Sequence, residues 1–155
     1  MDAGHEVAMA LRLAYLAMHR QADAALAAHG VTADQFVLLA ALHESDAVTQ
    51  QDLGRRICSD PNTVGAMLLL LEGRGLVARG PHPSDGRARR VSMTAKGRRL
   101  YRKLWSAGEQ FRARLLAAVG PDRADELVGL LGRVAQEMTP PRRRRRRLED
   151  AEQAG

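Results

Sequence analysis

Residues Thr49 to Thr94 read TQQDLGRRICSDPNTVGAMLLLLEGRGLVARGPHPSDGRARRVSMT, and the fold turns on how this stretch is parsed. Asp60 is a good N-cap, and Pro61 behind it suits the first position of a helix, where a missing N–H costs nothing. That punctuation separates a short helix, capped by Thr49, from a longer one over Pro61 to about Arg74. After Gly75 the pattern turns short and extended. Leu76–Arg79 and Arg90–Thr94 are strand candidates around a Pro- and Gly-rich loop with Asp85-Gly86 as a hairpin-tip signal. Arg87, Arg89 and Arg90 cluster where the loop ends. The parse is a helix-turn-helix followed by a basic wing.

Composition bounds what surrounds this element. A chain of 155 residues is the size of one domain, and 45% hydrophobic residues with 3% aromatics predict an aliphatic core. No apolar run approaches the ~20 residues of a membrane helix. The acidic residues near the N-terminus do not resemble a secretory signal, and a cytoplasmic protein is expected. The single cysteine, Cys58, excludes an internal disulfide and a Cys-based metal cluster. Net charge is +6, but Arg142–Arg147 and the three acids after it hold half of that, so residues 1–141 carry only +3. Any nucleic-acid surface must therefore come from the placement of a few arginines rather than from bulk charge.

Outward from the central stretch, Glu6–Ala28 is free of Gly and Pro and ends at His29-Gly30, a helix with a glycine C-cap. Its stripe of Val7, Leu11, Ala14, Met18, Ala22 and Ala25 needs a surface to bury against, and a partner subunit is one candidate. Thr32–His43 is a second helix with Thr32 and Gln35 at capping-box spacing, apolar enough to lie centrally. Beyond the wing, Thr94 caps one helix over Ala95–Val119, weakened by Gly97 and Gly108 and ended by Gly120-Pro121. A last helix covers Asp122 to about Met138. Residues 139–155, with the six-arginine run, are expected to be a disordered tail that could add non-specific DNA affinity.

The order of elements and two strings within it resemble the MarR family of bacterial transcriptional regulators, over roughly residues 5–138. SDGRARRVSMTAKG is similar to the family's Asp-x-Arg wing, and NTVGAMLLLLEGRGLVAR to its recognition helix and exit. The resemblance implies a mainly α fold with a small β-hairpin. It also implies a single winged-helix domain, with dimerisation helices at about 5–29 and 95–138 and a DNA-binding lobe at about 32–94. It implies a homodimer on a palindromic operator, most simply a repressor, released by a small aromatic or anionic effector. Asp85 would hold Arg87 as Arg87 enters the minor groove. Two departures stand out: Met93 replaces the usual Leu, and Leu69 and Leu70 occupy positions that are commonly polar or basic.

The DNA-binding candidates are Arg55, Arg56, Asn62, Thr63, Gly65, Ala66, Asp85, Arg87, Arg89 and Arg90. Asn62, Thr63, Gly65 and Ala66 lie at the N-terminal end of the recognition helix, where side chains meet base edges and small residues permit close approach. Tyr15, Met18, His19, Phe36 and His43 are candidates to line an effector pocket, against ordinary core or rim packing. Cys58 is read as a small buried turn residue, with redox sensitivity as the alternative. The histidines show no metal-ligand spacing, and neither a cofactor nor a metal is expected. No nucleophile–base pair, carboxylate pair or phosphate loop has usable spacing, which argues against an enzyme. The remaining alternative is a winged-helix architectural or interaction module with low sequence preference and no effector.

Overall fold

A computed structural model describes residues 2–45, 47–81 and 89–139. The chain divides into two compact units, Met1–Ala113 and Arg114–Gly155. In the first, α1 (Ala3–Leu26) runs into a single 3-10 turn that closes on Gly30 at φ 63°, the left-handed glycine cap expected from His29-Gly30. The capping box of α2 (Ala33–Glu44) is formed in full: Thr32 Oγ1 accepts from the Gln35 N–H, and Gln35 Oε1 accepts from the Thr32 N–H, both at 3.2 Å. α3 (Gln50–Arg56) and α4 (Pro61–Gly73) make the helix-turn-helix. α4 ends in a Schellman motif, with Leu76 N–H on the Leu71 carbonyl at 2.9 Å and Gly75 N–H on that of Glu72 at 2.8 Å, and Gly75 at φ 69° makes the reversal possible.

The hairpin is wider than expected. β2 (Val77–Pro81) and β3 (Arg89–Met93) pair antiparallel from Val77↔Met93 to Pro81↔Arg89, and a two-residue strand β1 (Val48–Thr49) adds to the other edge of β3 through Val48↔Val91. The sheet thus has three strands in the order β1-β3-β2. The C-terminal helical stretch is also divided: α5 (Ala95–Ala107) and α6 (Glu109–Val119) meet at Gly108, instead of forming one helix over Ala95–Val119. A Cβ at Gly108 would stand 2.9 Å from Arg112 Nη1, so the bare backbone gives the guanidinium a path across the break.

Leu38, Leu39 and Leu42 of α2, Leu53 of α3 and Leu68 and Leu71 of α4 are fully buried around Val77, Val91 and Leu104. α2 is the centre of this core, as its composition predicted. α1 is not enclosed along its stripe: Val7, Ala14 and Met18 are exposed and Leu11, Ala22 and Ala25 are half-buried, Leu26 being the buried residue of the helix. In the second unit, α7 (Ala124–Met138) follows a 3-10 turn that opens at Gly120-Pro121. It carries Leu127, Val128, Leu130, Leu131, Val134 and Met138 exposed. Among the described residues, no single helix is long and apolar enough to cross a membrane. None of their His, Cys, Asp and Glu side chains gathers into a group able to hold a metal ion.

Candidate nucleic-acid interface

The turn between α3 and α4 is fixed from both sides. On the α3 side, Ser59 N–H reaches back to the Gly54 carbonyl at 2.9 Å and Cys58 N–H to that of Arg55 at 3.4 Å, a Schellman closure with Cys58 in the left-handed slot at φ 52°. Cys58 is exposed, not buried as the sequence suggested, because a residue at this position projects out of the turn. On the α4 side, the Asp60 carboxylate accepts from the backbone N–H groups of Asn62 at 3.0 Å and Thr63 at 2.9 Å. It also takes the Thr63 hydroxyl. These bonds hold the Asp60 carboxyl below its ordinary range, the Thr63 hydroxyl contributing most.

α4 buries Val64, Met67, Leu68 and Leu71 and presents Asn62, Thr63, Ala66, Leu69 and Leu70 outward. Gly65 is not on that outer strip. It is half-buried under α3, where an added Cβ would lie 3.3 Å from Gln50 Nε2, so its small size serves the helix–helix approach. Of the leucine run, Leu68 and Leu71 close the core, while Leu69 and Leu70 are 65% and 59% exposed. No neighbouring described element covers them.

The arginines divide into free and structural ones. Arg55 and Arg56 are exposed, anchored by one nitrogen each: Arg55 Nη1 lies 2.7 Å from Asp52 Oδ1, and Arg56 Nη1 donates to Ser45 Oγ at 2.6 Å. Arg89 is exposed at the start of β3. Arg90 instead turns toward the sheet edge, where its Nε donates to the Ala47 carbonyl at 3.0 Å and ties down the approach to β1. Arg79 is committed to Glu72 through Nε at 2.9 Å and Nη2 at 2.7 Å, which lowers the Glu72 carboxyl. Arg74 donates to the carbonyls of Gly30 and His29, joining the ends of α4 and the first helix. Asp85 and Arg87 lie outside the described residues, as does the Arg142–Arg147 tail.

A cavity of about 370 Å³ opens between α1, α2 and the α5–α6 junction. Tyr15, Met18, His19 and Phe36 line it, together with Ile57 and Arg112. His43 does not. It sits two turns beyond Phe36 on the same face of α2, and its ring packs tilted against Tyr101, with centroids 4.4 Å apart. His19 bridges Asp23 and Asp34 at 3.3 Å from each. Arg112 stacks on Trp105 with its guanidinium carbon 3.9 Å from the ring centroid, a cation–π contact that holds a positive group at a largely apolar wall.

The MarR family pattern matches residues 31–88, which span α2, the helix-turn-helix and most of the wing. The uncharacterised HTH-type transcriptional regulator YdgJ of Bacillus subtilis is 30% identical over 105 residues, 68% of this chain and 64% of YdgJ. The chain thus spans just under two thirds of that relative. The HTH-type transcriptional repressor Rv2887 of Mycobacterium tuberculosis is 29% identical over 117 residues, 76% of this chain and 84% of Rv2887. Among solved structures, the transcriptional repressor CouR bound to a 23-mer DNA duplex superposes with a TM-score of 0.75 at 29% identity, over 81% of this chain and 89% of CouR. The chain belongs to the MarR family of transcriptional regulators. A further MarR-fold neighbour is BpsR of Bordetella bronchiseptica, whose DNA binding is regulated by 6-hydroxynicotinic acid. It has a TM-score of 0.75 and 28% identity, over 86% of this chain and 93% of BpsR.

Within this MarR-family chain, the sequence found the helix-turn-helix and marked Leu69 and Leu70 as departures, but it did not place them on the DNA-facing strip or find Arg112. Leu69 and Leu70 continue the strip begun by Asn62 and Ala66, a phase that helical spacing from Asn62 could have given. Arg112 was missed because it enters the cavity only through the break at Gly108.

Proposed function

We propose that the protein is a homodimeric, sequence-specific DNA-binding regulator that represses by occupying a palindromic operator and is released by a small aromatic or anionic effector. One observation carries the reading. The outer strip of α4 is presented free to solvent, while α3 beside it exposes Arg55 and Arg56. A reader with adjacent phosphate-binding guanidiniums is what a major groove requires. The DNA-bound state of the neighbour CouR supports the same use of the fold.

Two further features support the finer parts. The exposed apolar residues of α1 and of α7 are surfaces that a second subunit would cover, so that dimerisation rests on the helices at about 5–29 and 95–138. The cavity is large enough for one aromatic ring system, with the Arg112 guanidinium suited to a carboxylate, and the regulation of BpsR by an aromatic acid supports an effector of that class. An occupied cavity shifts the dimer toward a spacing that no longer spans two grooves.

Selection of bound fragments from genomic DNA, followed by footprinting, tests the reading. The regulator protects a discrete palindrome with half-sites ~34–36 Å apart, and aromatic acids release it. Diffuse protection without a shared sequence would identify an architectural protein instead.

A further inference from the structure

α4 has one ionisable residue, Glu72, and its carboxylate is taken by Arg79. Every exposed residue of the helix is uncharged. At 100° per residue, Asn62, Ala66, Leu69 and Gly73 fall within about 60° of one another, and Thr63 and Leu70 form a second row beside them. Each row begins polar and carries an exposed leucine in its C-terminal half. Leu69 at 65% and Leu70 at 59% exposure are costly to leave in water on a monomer that otherwise buries the core-facing side of α4.

The chemistry of this strip is selective. In the major groove guanine offers O6 and N7, read by Arg or Lys, and cytosine offers an N4 donor, read by Asp or Glu. The strip supplies neither. Asn62 matches the N6/N7 pair of adenine, and Ala66, Leu69 and Leu70 match the C5-methyl of thymine. Flanking guanidiniums on α3 with an apolar strip on α4 complement a methyl-lined groove floor walled by phosphates.

We infer that α4 reads a short run of A·T pairs, Asn62 bonding an adenine edge while Ala66, Leu69 and Leu70 pack on thymine methyl groups. The inference rests on the reading that α4 enters a major groove. Asn62 to Leu69 spans about 10 Å along the helix axis, or about three base-pair steps at ~3.4 Å each. The leucine pair is thereby a specificity element of the DNA surface.

The test uses the full-length protein and the operator obtained by genomic selection. Thymines across one half-site are replaced singly by deoxyuridine, which keeps base pairing and removes only the methyl group. Two or more neighbouring positions should each lose about fourfold in affinity, the equivalent of one buried methyl at ~0.8 kcal/mol. Leu69→Ala should abolish the deoxyuridine effect at one of these positions and leave the salt dependence unchanged, since no phosphate contact is removed. Its exposed position lets thermal unfolding confirm that the variant stays folded. Insensitivity to deoxyuridine throughout the half-site, or an operator with G·C pairs throughout the recognised run, overturns the A·T assignment while the regulator reading stands. Failure to select any shared sequence overturns both.

Discussion

Replacing Cys58 by glycine should stabilise the protein. Cys58 holds φ at 52° to complete the closure of α3, in which Ser59 N–H reaches the Gly54 carbonyl at 2.9 Å. A left-handed L-residue costs ~1–2 kcal/mol, and glycine removes that cost. Glycine returns part of the gain, ~0.5–1 kcal/mol, through the larger backbone freedom of the unfolded chain. The exposed thiol adds little, since its hydrogen bond to the Arg55 carbonyl is long, at 3.9 Å. The net expectation is about 0.5–1 kcal/mol, or a rise of about 1–4 °C in Tm for a chain of this size. Thermal unfolding of wild type, Cys58→Gly and Cys58→Ala at one fixed protein concentration measures it, the concentration being held because the Tm of the proposed dimer would depend on it. Alanine keeps the strained backbone while losing the thiol, so Cys58→Ala should stay at or below wild type. Equal stabilisation by both substitutions, or destabilisation by glycine, would refute the backbone argument.

Gly97→Ala should destabilise by about 3 kcal/mol in denaturant titration, because its Cβ would meet the Leu76 carbonyl oxygen and the Met93 side chain where α5 leaves the sheet. Acid should weaken the fold through Asp60 and Glu72: their folded carboxyl pKa values are depressed, so their stabilisation is present above the ordinary carboxylate range and is lost as pH falls through the folded values. Stability measured below about pH 5 should therefore decline less in Glu72→Gln than in wild type. At the alkaline end, burial first and the Glu44 charge second raise the Tyr101 hydroxyl above 10.0, and Tyr101→Phe should flatten the loss of stability there. Arg87→Ala should cost about 1–3 kcal/mol of operator affinity if the wing reads the minor groove, with wild-type binding removing that role. Arg112→Ala should leave operator affinity intact while reducing release by aromatic carboxylates about tenfold or more, the effect of losing one charge-assisted contact.

The parts of the fold that were legible in the sequence are those decided within a few residues. The Thr32–Gln35 box, the Asp60-Pro61 start and the Gly30 and Gly75 endings are local bargains between a side chain and the nearest orphan N–H or carbonyl, and all four are formed. What stayed hidden depends on distant partners. β1 is two residues long and exists only because Val48 meets Val91, 43 positions away in the chain. Arg90 looked like the other wing arginines until the Ala47 carbonyl claimed its Nε, and nothing local to Arg90 announces that acceptor. His43 shares the helical face of Phe36, as its spacing predicted, yet a cavity has an end as well as a side, and two turns carry His43 to Tyr101. Gly65 changed place for a similar reason. Small size suggested the groove for it, but the docking of α3 on α4 fixed the rotation of the helix and left Gly65 under α3.

That docking also shortens the distance between the two halves of the proposed mechanism. Ile57 caps the end of α3, packs on the hydrophobic core and lines the cavity. Three residues later Asp60 sets the first turn of α4, and Asn62 begins the outer strip. A ligand pressing on Ile57 would therefore act on the turn that aims the reader, with no long chain of side chains between them. Coupling needs a two-state element that both ligands bias, and we propose the closure at Ile57–Ser59, which holds Cys58 in the left-handed region, as that element. Relieving that strain with Cys58→Gly should then do more than raise Tm. It should alter the effector concentration needed for release while leaving Asn62 and Leu69 untouched, and a release curve identical to wild type would place the coupling elsewhere than in this turn.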